Sequence, residues 1–256
     1  MTEDTRTSHI DDEGESTTTK TATTAARRRR GALLFLRDLL VIFVVAVLVS
    51  FLIKTFLIRS FFIPSQSMEQ TLEVDDRIIV NQLVPELMPV ERGDVVVFQD
   101  PGGWLPATVQ PEQPPLVAAV DWFFAFVGLS APDSNDHLVK RVIGLPGDHV
   151  TCCNALGQMS VNDVPLDEPY ATLPPGEQKV SKDDFDTTVP EGMLWVMGDN
   201  RYNSKDSRYN GDTPLKGFVP IENVVGRAFV VSWPVSHWAW LSNYPEVFAG
   251  VDDGDG

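Results

Sequence analysis

From Leu39 to Ile53 the sequence runs through fifteen residues with one polar interruption, Ser50. A run of this kind must leave water as one piece, and its flanks decide how. Crossing a hydrocarbon core ~30 Å thick takes about 20 helical residues. Extending the run from Leu33 to Ile58 reaches that length and takes in Arg37, Asp38 and Lys54 near its two ends. Long cations at the ends reach the interface, and Arg37 offsets Asp38. A spanning helix over 31–58 is therefore predicted. The rival is a cleaved secretory signal, which ends in small residues. Here the run ends in K-T-F-L-I-R-S-F-F-I-P, Lys54 to Pro64, bulky throughout, so the segment is expected to remain as an anchor. Arg27–Arg30 outnumber Lys54 and Arg59, which places the N-terminus in the cytoplasm and everything after about residue 60 outside the cell membrane.

The flanking segments read differently. Residues 1–26 are rich in Thr, Ser, Asp and Glu and nearly free of large apolar side chains, a composition that cannot bury enough surface to offset ordering entropy. Residues 1–30 are expected to form a disordered tail ending in the basic cluster. From Phe61 onward, short apolar runs alternate with Gly and Pro. R-I-I-V-N, D-V-V-V-F, H-L-V-K-R-V-I, G-M-L-W-V-M and G-R-A-F-V-V-S-W each have strand length and no helical period. The expected fold class is mainly β, with long loops, over 59–248, preceded by one N-terminal transmembrane helix. Within an insert over 102–136, Leu116–Leu129 is helix-length and apolar but too short to span, so it is a core helix or lies on the membrane surface. The Trp-rich stretch W-P-V-S-H-W-A-W, Trp233 to Trp240, either dips to the bilayer interface or packs on the β domain. Residues 249–256 read as a frayed acidic tail.

Charge and cysteine content exclude some partners. Residues 60–256 hold eleven Lys or Arg against twenty-nine Asp or Glu, a net of −18. Such a surface repels phosphate, so no nucleic acid partner is expected. Cys152 and Cys153 are adjacent and cannot staple distant segments. They do not fit zinc spacing, and two ligands are too few for a closed zinc site. A ring between the two or a pair of free thiols remains open. No metal and no cofactor is expected.

Two local patterns carry chemistry. In P-S-Q-S-M-E-Q-T-L, Pro64 to Leu72, Ser65 and Ser67 fall on one side of an extended backbone, where a nucleophile and an oxyanion donor become neighbours; turns use the same Ser-x-Ser for local bonds. In H-L-V-K-R-V-I, His137 to Ile143, alternation sends Lys140 and Arg141 to opposite faces, so one of them points inward. Desolvation lowers the pKa of a buried lysine, and a neutral amine is a general base; the competing reading is an edge lysine reaching water.

Together with R-G-D-V-V-V-F (Arg92 to Phe98), K-R-V-I-G-L-P-G-D (Lys140 to Asp148) and G-D-N-R-Y-N-S-K-D-S-R (Gly198 to Arg208), the serine box resembles the type I signal peptidases, bacterial membrane-anchored Ser-Lys proteases. The boxes stand in that family's order behind its anchor, from about Leu33 to Trp233. The resemblance implies a β domain of antiparallel sheets and removal of signal peptides from exported preproteins after small residues (Ala-x-Ala), through an acyl-enzyme. Ser67 would be the nucleophile and Lys140 the general base. The Ser67 N–H and the Ser65 hydroxyl would form the oxyanion hole, Ser204 would orient the lysine, and the pairs Asp199–Arg141 and Asp206–Arg208 would support the loop. Phe62, Ile63, Pro64 and Gln66, with His137, Leu138 and Val139, would bind the signal peptide by strand addition. The partners implied are signal peptides, membrane lipid and a position near the protein-export channel.

The chain departs from the family pattern at three positions. Gln70 stands where many members have proline, Gln66 replaces a frequent glycine, and Tyr202 replaces a frequent aspartate. Two other classes compete: a membrane-tethered, non-enzymatic β domain that binds a partner, and a self-cleaving Ser-Lys regulator. The regulators cut Ala-Gly or Cys-Gly upstream of the serine, whereas the Ala-Gly here is Ala249–Gly250, far downstream. A sortase-like enzyme needs a cysteine with a partner histidine, which Cys152 and Cys153 do not offer.

Overall fold

The computed structural model describes residues 19–106 and 136–252. The central part of the 102–136 insert, including Leu116–Leu129, lies outside the described residues. Contacts divide the chain into two units, residues 1–50 and 51–256. A single helix, α1, spans Thr19–Phe56. It starts well before residue 31, because Ala22, Ala25, Ala26 and Arg27–Arg30 are strong helix formers with no proline among them. The tail boundary read from composition is therefore too late, and the helix ends two residues before Ile58. Within α1, Leu34–Phe51 is long and apolar enough to cross a membrane and none of it is buried. Arg37 pairs with Asp38 at 2.9 Å.

The second unit is built of antiparallel strands: β1 Ile58–Phe62, β2 Arg77–Asn81, β3 Val95–Gln99, β4 His137–Gly144, β5 His149–Cys152, β6 Met159–Val161, β7 Val164–Pro165, β8 Phe185–Thr188, β9 Met193–Met197, β10 Val219–Pro220, β11 Val224–Trp233 and β12 Ala239–Trp240. Among the described residues they form a large sheet in the order β1-β2-β11-β3-β4-β9-β10, with β12 on β11, and a smaller one in the order β7-β6-β5-β8.

The run Val95–Phe98 explains the layering. Val95 and Val97 enter one core with Phe61, Ile78 and Met68, while Val96 and Phe98 enter another with Val142, Leu194 and Trp104. A strand covered on both faces reads as a continuous apolar run. A third core, under the smaller sheet, contains Ile143, Val150, Met159 and Trp195. Val247, Phe248 and Val251 are buried in it, and Asn162 Nδ2 donates to the Asp252 carbonyl at 3.1 Å. The chain is thus packed through Asp252, not frayed from residue 249, because Val251 has an apolar core to enter.

Two features position the cleft. The sheet coils until the Phe61 ring in β1 lies 5.3 Å from that of His137 in β4. Among the described residues the edges facing this gap are open: β1 pairs only with β2, and β9 joins β4 only from Arg141 onward.

Candidate active site

Ser65 has extended backbone (φ −132°, ψ 157°), and Gln66–Met68 then turn into a 3-10 helix. The Ser-x-Ser pair is therefore not a continuous strand. The turn brings the two hydroxyls to 3.3 Å. Met68 and Leu72 anchor this loop in the core.

The other half of the site comes from β4. Alternation predicted that one of Lys140 and Arg141 points inward, yet both are buried, 4% and 0% exposed. They leave opposite faces of a strand that is covered on both sides. Lys140 Nζ lies 2.6 Å from Ser67 Oγ and 3.0 Å from the Val139 carbonyl. Burial pushes the amine pKa down to about 8, against the pull of Asp206 and Asp199 toward the charged form. A hydroxyl, a buried amine with a depressed pKa and a second hydroxyl thus meet at one opening. This is the chemistry of a serine hydrolase that works without histidine.

Arg141 closes the space behind the base. Its Nε and Nη2 donate to Asp199 at 2.9 and 2.7 Å, and its Nη1 donates to the Gly93 and Ser242 carbonyls. The guanidinium carbon sits 4.1 Å from the Tyr170 ring centre. Arg208 grips Asp206 with Nε and Nη2 at 2.8 and 2.7 Å, and Asp206 also accepts the Gly198 N–H. Both expected ion pairs are formed, and both carboxylates are fully buried.

The expected hydrogen bond from Ser204 to the lysine is not made. Its hydroxyl is buried with no hydrogen-bond partner among the described residues, and the amine takes the Val139 carbonyl instead. Ser204 does line the same groove as Lys140.

The glycine-rich segment holds the nucleophile loop through contacts that sequence reading missed. The Asn200 N–H donates to the Ser67 carbonyl, Asn200 Nδ2 to Glu69, and Asn203 Nδ2 to Gln66. Thr71 Oγ1 donates to Asp199 at 2.6 Å. Arg201 and Glu168 form a further buried bidentate pair at 2.8 and 2.6 Å, capped by the Tyr170 hydroxyl. Glu168 lies outside every motif. The one available signal was Arg201 itself, since a guanidinium in a core-facing loop calls for an unseen carboxylate. Gly198 packs so closely that an added Cβ would run into the Ser67 carbonyl and the Ser204 hydroxyl.

A cavity of about 220 Å³ opens beside the reacting pair and is lined by Phe61, Phe62, Ile63, Pro64, His137, Leu138 and Val139, among others. The predicted substrate residues are thus brought together, except Gln66, which lines the adjoining groove. Leu105, at the start of the insert, also reaches the cavity. It is held there because Asp100 caps the N–H groups of Gly102, Trp104 and Leu105 and because Trp104 is buried against Phe98. Cys152 and Cys153 are bonded to each other, on the smaller sheet and not among the residues lining the cleft.

Residues 36–233 match the family described as signal peptidase, peptidase S26. The chain is 40% identical over 224 residues to signal peptidase I of Mycobacterium tuberculosis, covering 79% of this chain and 74% of that one. It is 36% identical over 203 residues to probable signal peptidase I-2 of Synechocystis, covering 79% and 76%. A crystal structure of signal peptidase I from Enterococcus faecalis is 27% identical and covers 54% of this chain and 95% of its own, with a TM-score of 0.35. The chain belongs to the signal peptidase family, peptidase S26, and is a serine protease.

Proposed function

We propose that the protein removes N-terminal signal peptides from exported preproteins, with Ser67 and Lys140 as the reacting pair. The observation that carries this reading is the 2.6 Å separation of the buried Lys140 Nζ and the half-buried Ser67 Oγ at the mouth of the cleft. The neutral amine takes the Ser67 proton as Oγ attacks the scissile carbonyl. The oxyanion is held by the Ser67 N–H and the Ser65 hydroxyl, a stabilisation worth several kcal/mol per well-placed donor. The lysine ammonium then protonates the departing amine of the mature chain. In the second half-reaction Lys140 deprotonates the water that hydrolyses the ester, and the signal peptide leaves as a free acid.

The signal peptide enters as an added strand between the open edges of β1 and β4. The narrow cavity between Phe61, Ile63 and Val139 admits small side chains at the Ala-x-Ala positions and excludes large ones. Asp199–Arg141 and Asp206–Arg208 hold the base and the glycine-rich segment in register. α1 is the membrane anchor. The excess of Arg27–Arg30 over Lys54 and Arg59 sets its N-terminus in the cytoplasm and the β domain on the outer face, in contact with lipid and near the protein-export channel.

The test is processing of a preprotein by purified full-length variants in detergent. Ser67→Ala and Lys140→Ala should each abolish cleavage with the near-ultraviolet circular dichroism of the parent retained. Near-normal turnover by Lys140→Ala would defeat the assignment.

A further inference from the structure

Past the reacting atoms the cleft continues into a wider groove of about 840 Å³, which shares Ser65, Ser67 and Lys140 with the first cavity. The charge of its lining is out of keeping with its surroundings. Residues 60–256 carry a net of −18, yet none of the groove's described lining residues is acidic. Its charged side chains are Lys140, Lys182 and Lys205.

Lys182 and Lys205 are exposed. Lys205 Nζ donates to the Trp104 carbonyl at 3.2 Å. Lys182 Nζ donates to the Tyr202 carbonyl at 3.1 Å and sits 5.2 Å from the Tyr202 ring centre. Neither forms an ion pair with a carboxylate among the described residues; of the acids beside Lys182, Asp184 is held by Lys179 at 2.7 Å and Asp183 bonds to the Tyr209 hydroxyl. An ammonium has three donors, so each lysine keeps two for a ligand. The two cations are held by backbone carbonyls along a groove whose described lining residues include no carboxylate; Glu177 stands behind its wall, accepting from the Tyr202 hydroxyl at 3.2 Å.

We propose that this groove binds the first residues of the mature chain and selects acidic ones there, with Lys182 and Lys205 as specificity-determining residues. The inference rests on the reading of Ser67 and Lys140 as the reacting pair and of the first cavity as the acyl side. A strand that enters along Phe62–Pro64 and His137–Val139 leaves past Ser67, and this groove is the continuation of its path. Aspartate or glutamate two or three residues beyond the scissile bond would meet the ammonium groups.

The experiment uses the full-length protein in detergent and three peptides identical through the cleavage site, carrying two Asp, two Gln or two Lys at the second and third positions after it. For wild type, kcat/KM should be roughly three- to tenfold higher for the Asp peptide than for the Lys peptide, the range expected of two exposed charge pairs. The ratio should shrink at high salt. In Lys182→Gln/Lys205→Gln it should fall to about one, and Lys205→Glu should favour the Lys peptide. Binding of the same uncleaved peptides to Ser67→Ala, followed by fluorescence anisotropy, should give the same order without turnover. Absence of cleavage of every peptide by wild type would count against the reacting pair and leave the binding order to decide the groove. Equal affinities for the three peptides, or an Asp preference that survives the double substitution, would overturn the proposal.

Discussion

Arg141 and Asp199, 58 residues apart in sequence, close a bidentate ion pair at 2.9 and 2.7 Å with both side chains fully buried. The pair joins β4, which carries Lys140, to the glycine-rich segment that braces the Ser67 loop through Asn200 and Thr71. Lys140 and Ser67 are therefore held by one buried electrostatic connection, and the fold pays for it with two desolvated charges.

Removing one partner should expose that connection. Asp199→Asn leaves the Arg141 guanidinium buried without its counter-charge and weakens the bond from Thr71, so a loss of about 3–5 kcal/mol in unfolding free energy is expected. Denaturant unfolding in detergent, followed by tryptophan fluorescence, measures it. A change below about 1 kcal/mol would show that the pair is not the brace described.

Activity should rise with pH through about 8, the value to which burial lowers Lys140. Below it the amine is protonated and cannot take the serine proton. Above it the base is free, and kcat/KM reaches a plateau. Stability should move the same way between about pH 8 and the ordinary lysine value, because there the unfolded chain holds a proton that the folded chain has released. A pH–rate profile with its acidic limb centred below about 6.5 would contradict the desolvated amine.

Lys140→Met should be inactive yet no less stable at pH 7 than the parent. The ordinary and lowered values differ by about 2.5 units, equivalent to roughly 3 kcal/mol against burying the charged amine, and methionine fills similar space without that charge. A thermal melt in detergent checks this; a fall in Tm of more than a few degrees would mean that the amine stabilises the fold.

Gln70 has φ +79°, a conformation closed to proline, whose ring fixes φ near −65°. Gln70→Pro would supply the residue common in the family, and it should lower both Tm and preprotein cleavage by distorting the loop between Ser67 and Thr71. Gln70→Gly, which tolerates this backbone, should retain activity. Wild-type behaviour of the proline variant would show that the loop relaxes freely.

Gly198→Ala should abolish cleavage, since its methyl would displace the Ser67 carbonyl or the Ser204 hydroxyl. Retained activity in the processing assay would show that the loop yields at this contact.

How much was legible in the sequence depends on the range of each interaction. The long apolar helix and the strands follow from hydrophobic period and length, which are local properties of the chain. The serine box and the lysine box could be placed, and their roles expected, from a family resemblance spread over four short motifs. Local patterning misjudged Arg141, because alternation assumes one wet face and β4 has none. It misjudged the start of α1 and the packing of Val251, because composition reports average solubility and not the neighbour that accepts a side chain.

By itself, then, the order of residues determined which segments lie in apolar surroundings and which chemical groups are on offer. Tertiary structure alone decided the meeting of Ser67 with Lys140 across 73 positions, the choice of Glu168 as partner for Arg201, and the placing of Lys182 and Lys205 along one groove. Each of these depends on how far the sheet coils and which loops its edges bring together. That curvature is set by the packing of three cores at once, and no short stretch of sequence contains it.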